Sequence, residues 1–133
     1  MDAGARAFLD KARQSMAGAE REYAADAFDN VANRCYYAAF QAAISILLEI
    51  RAVSPAKIGG MKHPYVRSEF ASVVVRRKKL LTGVERKDMD ELATARDIAD
   101  YLVTSTGKER AKRLLDVARR IVQAVGTFLE GER

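Results

Sequence analysis

The 133-residue chain has little of what metal centres, disulfides and cofactor sites are built from. It contains one cysteine, one histidine, two prolines and no tryptophan. A lone cysteine excludes an intrachain disulfide, and Cys35 lies among apolar helix positions, so it is predicted to be a buried hydrophobe. One histidine and one cysteine make an incomplete zinc ligand set, and no Walker loop, dinucleotide glycine fingerprint or serine elbow occurs. Neither a metal nor a cofactor is therefore expected.

Long apolar runs are also missing. No segment approaches the roughly 20 apolar residues of a membrane span, and the alternation of alanine with charge at the N-terminus is unlike a signal peptide. A bacterial or archaeal cytoplasmic protein is expected. The net charge of +5 and the pI near 9.5 favour a polyanionic partner, although a soluble protein that is simply basic has the same composition.

Apolar residues at helical spacing are abundant, whereas sustained strand-like alternation is absent. The pattern predicts an all-α protein, a four- to five-helix up-and-down bundle forming one domain over residues 1–133. The predicted helices cover residues 2–22, about 26–51, 64 to the basic cluster at 76–79, a stretch after Gly83 to about 102, and 106 onward.

Turn and cap residues predict where these helices begin. Asp26 is the expected N-cap of the second helix, and Pro64 suits the first turn of the third. Thr106 and Glu109 match a capping box before the last helix. Residues 52–64 contain Pro55 and the pair at 59–60, so they are predicted to be the one long irregular connection.

The run NRCYYAAFQAA at residues 33–43 carries unusual polar residues for a core-like helix. Arg34, Tyr37, Gln41 and Ser45 are three or four apart and share one face. Arg34, Tyr37 and Gln41 are therefore candidate binding residues for a nucleotide or RNA, because a planar guanidinium pairs well with phosphate. A wetted helix surface is the alternative.

A second arginine-centred group lies late in the fourth helix. Arg96, Asp100 and, less directly, Tyr101 lie toward one edge by their spacing. In the functional interpretation Arg96 faces a phosphate. In the structural interpretation Arg34 or Arg96 pairs with a carboxylate such as Asp100 and merely orients two helices.

The basic cluster at residues 76–79 also has two interpretations. It is either a solvated helix end or an electrostatic footprint for nucleic acid. Its members are Arg76, Arg77, Lys78 and Lys79.

Three segments in order resemble the HEPN domain, the higher-eukaryote and prokaryote nucleotide-binding group. They are NRCYYAAFQAA at 33–43, KHPYVRSEF at 62–70 and RDIADY at 96–101. The resemblance implies a helical bundle that commonly dimerises and is often encoded beside a minimal nucleotidyltransferase as a toxin–antitoxin pair.

The resemblance also implies a metal-independent endoribonuclease activity for many members, which carry an arginine followed four to six residues later by a histidine. Arginine would stabilise charge on the scissile phosphate while histidine moves a proton. This chain has Gln41 where relatives often have histidine, and Asp100 and Tyr101 follow Arg96. Its only histidine is His63, so Arg96, Asp100, Tyr101 and His63 are the candidate catalytic residues.

Three functions stay open at this point. The first is a HEPN module that binds nucleotide, RNA or a nucleotidyltransferase. The second is a ribonuclease toxin, and the third is a purely structural, dimerising helical protein.

Overall fold

The computed structural model describes residues 1–54, 56 and 62–131, and this part of the chain is all helix, turn and loop. The predicted all-α bundle is confirmed. Its helices are α1 (Ala3–Ala24), α2 (Phe28–Glu49), α3 (His63–Glu69), α4 (Asp88–Tyr101) and α5 (Lys108–Glu130), and α3 continues directly into a π-helical segment, Phe70–Arg77. The predicted break at Pro55 and residues 59–60 lies outside the described residues.

Helix α2 is the central element, because it packs against α1, α3, α4 and α5. Its side chains explain this position. Small buried residues let neighbouring helices approach closely, and large ones fill the core between them. The small set comprises Ala32, Ala38, Ala39, Ala42 and Ala43, and the fully buried large set includes Tyr36, Ile46 and Leu47.

The helix starts depend on contacts that local sequence does not reveal. Asp2 caps α1, with its carboxylate accepting from Ala5 N–H at 2.8 Å. The expected cap at Asp26 is wrong, since Ala27 is the N-cap and Asp26 takes a left-handed turn conformation with φ of 59°. That region is one in which aspartate is enriched among non-glycine residues.

The capping box predicted for α5 is also wrong. Gly107 is the N-cap residue, and no side chain bonds the cap. The Thr106 N–H instead donates to Asp29 Oδ1 at 2.8 Å, which ties the start of α5 to the start of α2. A long-range partner has therefore replaced the local one.

The third helix begins one residue before the predicted Pro64 and buries Val66, Phe70, Val73 and Val74 along its length. Its second half is π-helical, a winding that often occurs at functional sites. Because α3 starts with His63 and packs on α2, it positions the histidine against the middle of the bundle.

Within the described residues, no helix combines the length and apolar character that crossing a bilayer requires.

The core contribution of α4 can be measured with a matched pair of leucines. Leu92 is fully buried, whereas Leu102, just after α4, is 61% exposed. Leu92→Ala is expected to lower the free energy of unfolding by about 2–5 kcal/mol, because it removes buried methyl groups and leaves a cavity. Leu102→Ala should change it by less than about 0.5 kcal/mol. Denaturant unfolding followed by circular dichroism compares the two, and equal losses would contradict the packing of α4.

Candidate functional site

An aromatic stack on α2 and α3 forms the centre of the candidate site. Tyr36 and Phe40 lie one turn apart on α2, and the His63 ring stacks on Phe40 with centroids 4.1 Å apart. The Tyr36 hydroxyl lies 2.8 Å from His63 Nδ1. Because Tyr36 is buried and fixed by the core, this hydrogen bond holds the imidazole in one orientation.

Arg67 enters the same cluster from the next turn of α3. It lies four residues after His63 and so occupies the same helix face. Its Nη1 donates to the Tyr36 hydroxyl at 3.4 Å. Its Nε lies 3.7 Å from a carboxylate oxygen of Asp90, which is 75% exposed, so this contact is a long, solvated ion pair.

Arg96 reaches the cluster from α4. Its guanidinium carbon lies 4.4 Å from the centre of the Tyr36 ring, a cation–π contact, and its Nη1 donates to the Tyr37 hydroxyl at 3.5 Å. Its Nη2 donates to Asp97 at 3.0 Å. Arginine suits this place because the planar guanidinium can stack on a ring and still donate at its edge.

Both arginines have a donor left over. Arg67 Nε and Arg96 Nε are buried from solvent and lack a hydrogen-bond partner among the described residues. A buried unpaired donor costs about 1–3 kcal/mol, and more beside a charge. The two guanidinium groups place two positive charges near His63. An anionic ligand would accept hydrogen bonds from their Nε–H groups.

The electrostatics of the cluster favour neutral rings. Burial lowers the pKa of His63 below its ordinary value of 6.5, and the nearby Arg96 and Arg67 lower it further. Burial raises the pKa of Tyr36, against a smaller opposing effect of Arg67. Near neutral pH the imidazole is therefore uncharged and the phenol protonated, so one of them donates to the other at the 2.8 Å contact.

The predicted stripe on α2 is divided between two surfaces. Tyr37 faces Arg96, but Gln41 faces α1, where its amide nitrogen, oriented to that side, donates to Ser15 Oγ at 2.7 Å and the Lys11 carbonyl at 3.0 Å. Arg34 is exposed beside Gly18 of α1. The structure thus brings Tyr37 and Arg96 together and places Arg34 and Gln41 along the α1–α2 boundary.

Asp100 and Tyr101 lie outside the cluster. Asp100 accepts from Asn33 Nδ2 at 3.1 Å on the exposed side of α4, and Tyr101 is 76% exposed. The structural interpretation that paired Arg96 with Asp100 is also wrong in its partner, because Arg96 pairs with its chain neighbour Asp97. Asp100 instead links α4 to α2 through an amide.

The basic cluster at residues 76–79 is exposed at the end of the π-helical segment. Arg76 and Arg77 occupy its last turn, and Lys79 follows in a left-handed conformation. Arg76 also lines an open groove of about 600 Å³ between this segment and the start of α4. The cluster is therefore separate from the aromatic stack.

Cys35 is fully buried, as predicted, and burial raises the pKa of its thiol to about 12. A thiol with so high a pKa is a packing element at neutral pH, not a nucleophile. Among the described residues, no group of three or more His, Cys, Asp or Glu side chains is arranged to hold a metal ion.

Sequence reasoning missed three members of the cluster, Tyr36, Phe40 and Arg67. The spacing of Arg67 from His63 was a visible signal, since residues four apart share a helix face. Tyr36 could not be distinguished from a core tyrosine by its spacing, because its side chain is fully buried among the apolar residues of α2.

The pKa of His63 should respond to Arg96. Arg96→Ala is expected to raise it, because a cation that opposes protonation is lost. Since the chain has one histidine, its imidazole resonances identify themselves in a proton NMR titration. Arg13→Ala is the control, because Arg13 pairs with Glu130 elsewhere. An unchanged pKa in Arg96→Ala would contradict the contact.

Because the folded-state pKa of His63 is depressed, the same titration has a stability consequence. The unfolded chain binds this proton more readily, so the contribution of the neutral imidazole is lost as pH falls below about 6.5.

Comparison with known protein families identifies the family of this chain. The family model described as the HEPN domain matches residues 5–128, which is most of the 133-residue chain. No curated protein gives a significant match. The matched range includes α2, α3, α4 and all members of the aromatic–arginine cluster. This chain belongs to the HEPN domain family.

Proposed function

We propose that the protein binds a phosphate group of RNA or of a nucleotide between Arg67 and Arg96. The observation that carries the proposal is the pair of buried Nε donors of Arg67 and Arg96, which lack a hydrogen-bond partner among the described residues, the Arg67 donor having only its long contact with Asp90. A phosphate oxygen accepts charge-assisted hydrogen bonds from guanidinium groups and neutralises them. HEPN domains are associated with nucleotide- and RNA-related functions, which agrees with this ligand class.

Aromatic side chains near the arginines favour a nucleotide over inorganic phosphate. Tyr37 is only partly buried, and its ring lies 5.9 Å from the His63 ring in an edge-on arrangement. Partly exposed rings beside a phosphate site offer a stacking surface for a base, which contributes about 1–3 kcal/mol per base in single-strand binding. The proposed ligand is therefore a phosphate that carries a nucleoside.

Binding can be tested with three arginine variants of the same size. Arg67→Ala and Arg96→Ala are each expected to weaken binding of a labelled oligoribonucleotide by about 10- to 100-fold, since each removes charged hydrogen bonds. Arg34→Ala is the matched control, because this exposed arginine lies beside α1. Fluorescence anisotropy at fixed salt measures all three. Equal weakening by Arg34→Ala would indicate a general charge effect and overturn the proposed site.

A second candidate function is metal-independent cleavage of RNA, which the oriented histidine favours. In the neutral tautomer whose Nδ1–H donates to the Tyr36 hydroxyl, His63 Nε2 has its lone pair free to accept the proton of a ribose 2′-hydroxyl. The 2′-oxygen would attack phosphorus and the bond to the 5′-oxygen would break. The imidazolium would return its proton to that leaving oxygen, giving a cyclic phosphate and a 5′-hydroxyl, with Arg96 stabilising the transition-state charge.

Cleavage is tested with EDTA present and with binding measured in parallel. His63→Gln is expected to lower the cleavage rate by about 10²- to 10⁴-fold while RNA binding persists, because glutamine cannot transfer the proton. Tyr36→Phe should lower the rate less and alter its pH profile, since it removes the hydrogen bond to Nδ1. If the wild-type protein binds RNA but leaves it intact, the second candidate is excluded and the first stands.

The partner predictions depend on the family resemblance. We propose a homodimer and a minimal nucleotidyltransferase as partners in a toxin–antitoxin setting. Sedimentation of the purified chain tests the dimer, and co-purification with a nucleotidyltransferase encoded by the adjacent gene tests the pair. A structural protein without ligand would show neither RNA binding nor co-purification.

A further inference from the structure

We infer that the groove between the π-helical segment and the start of α4 is the path of a single-stranded RNA that continues from the phosphate site. This groove, the α3–α4 groove, has a volume of about 600 Å³ and is open along one side. The inference rests on the proposed function, and it specifies the ligand as a polynucleotide.

The α3–α4 groove lies next to the proposed phosphate site. Asp90 lines the α3–α4 groove and also lies 3.7 Å from Arg67 Nε. Arg67 in turn donates to Tyr36 at the centre of the site. The groove therefore adjoins the proposed phosphate site at Arg67, with the exposed Asp90 carboxylate at the boundary.

The lining of the α3–α4 groove is mostly charged. The groove is lined by Arg76, Arg86 and Lys87 against the carboxylates of Glu85 and Asp90. Lys87 and Glu85 form a contact of 3.7 Å at 73% and 65% exposure, which is weak, and Asp90 faces Arg67.

Two cations of the groove are left without a carboxylate. Among the described residues, Arg76 and Arg86 take part in no ion pair. The exposed Arg77, Lys78 and Lys79 extend the positive charge beyond the groove. The groove thus has more cations than carboxylates, and the further cations beyond it favour a polyanionic backbone over a mononucleotide.

The shape of the α3–α4 groove suits an extended chain. Ala71 and Ser72 line the groove with short side chains, so a chain can approach the helix backbone there. The volume lies within the range of ligand sites, but the charged lining differs from the mainly apolar wall of a small-molecule pocket. An open groove whose lining has more cations than carboxylates is suited to follow a single-strand backbone.

The test compares ligand lengths. AMP and 2′-O-methyl RNAs of about 4, 8 and 16 nucleotides are titrated against the wild-type chain and the double variant Arg76→Glu/Arg86→Glu. The methylated 2′-oxygen prevents cleavage during the measurement. Lys108→Glu/Lys112→Glu on α5 is the matched control, because both lysines are exposed and lie outside the groove. Circular dichroism and thermal melting check that every variant is folded.

Wild-type affinity is expected to increase with RNA length. The groove variant should lose about tenfold or more in affinity for the longer RNAs, bind AMP as the wild type does, and show a salt dependence shallower by about 0.7 per lost phosphate contact. The RNA affinity of the milder variant Arg76→Gln/Arg86→Gln should lie between those of the wild type and Arg76→Glu/Arg86→Glu. The α5 control should bind all ligands much as the wild type does.

Several outcomes would overturn the RNA path. The groove variant could bind long RNA as tightly as the wild type does. It could also lose as much affinity for AMP as for long RNA, or the α5 control could lose as much affinity for long RNA as the groove variant does. Polyglutamate that binds as tightly as RNA and is lost in the same variant would assign the groove to an acidic protein partner. Failure of the phosphate site itself is distinguishable, since Arg96→Ala would then leave AMP binding unchanged.

Discussion

The site depends on one buried tyrosine, Tyr36, because three other side chains contact it. Tyr36 is locked into the core by its position on α2, the helix that packs against every other helix. His63 and Arg67 meet its hydroxyl, and Arg96 lies over its ring. Because the tyrosine cannot move without opening the core, α3 and α4 are held at fixed positions relative to each other. A rigid element of this kind is what a binding site needs if its groups are to stay in register.

Placing two guanidinium groups at this tyrosine has an energetic cost that the chain only partly offsets. Asp97 and Asp90 are the nearby carboxylates, but they are 60% and 75% exposed, and their attraction is screened by water. The ring of Tyr36 contributes a cation–π contact to Arg96, while both Nε donors lack a hydrogen-bond partner among the described residues. An anion that accepts from these donors would supply the missing compensation, which is the physical basis for proposing a binding role for the cluster.

The fold was predictable from the sequence, and half of the site was not. Helical spacing of apolar residues locates α1 to α5, because burial of one face needs no knowledge of the partner. The capping box at Thr106 was mispredicted because Asp29, distant in the sequence, accepts from the Thr106 N–H. The cap at Asp26 was mispredicted because this residue turns in the left-handed region and Ala27 is the N-cap. The same limit applies to the α2 stripe. Spacing places Arg34 and Tyr37 on one face, but it cannot tell that α1 covers one edge of that face and α4 the other.

The position of Gln41 changes what the missing histidine means. The family resemblance implies a histidine after the Tyr-Tyr-Ala run, and on that basis Gln41 argued against proton transfer. In this chain Gln41 points to Ser15 and Lys11 of α1, away from Arg96, so a histidine there would not meet the arginine without a different packing of α1. The imidazole at the arginines comes from α3 instead, as His63 on Tyr36. Whether the chain cuts RNA therefore depends on His63, and the glutamine at position 41 does not decide it.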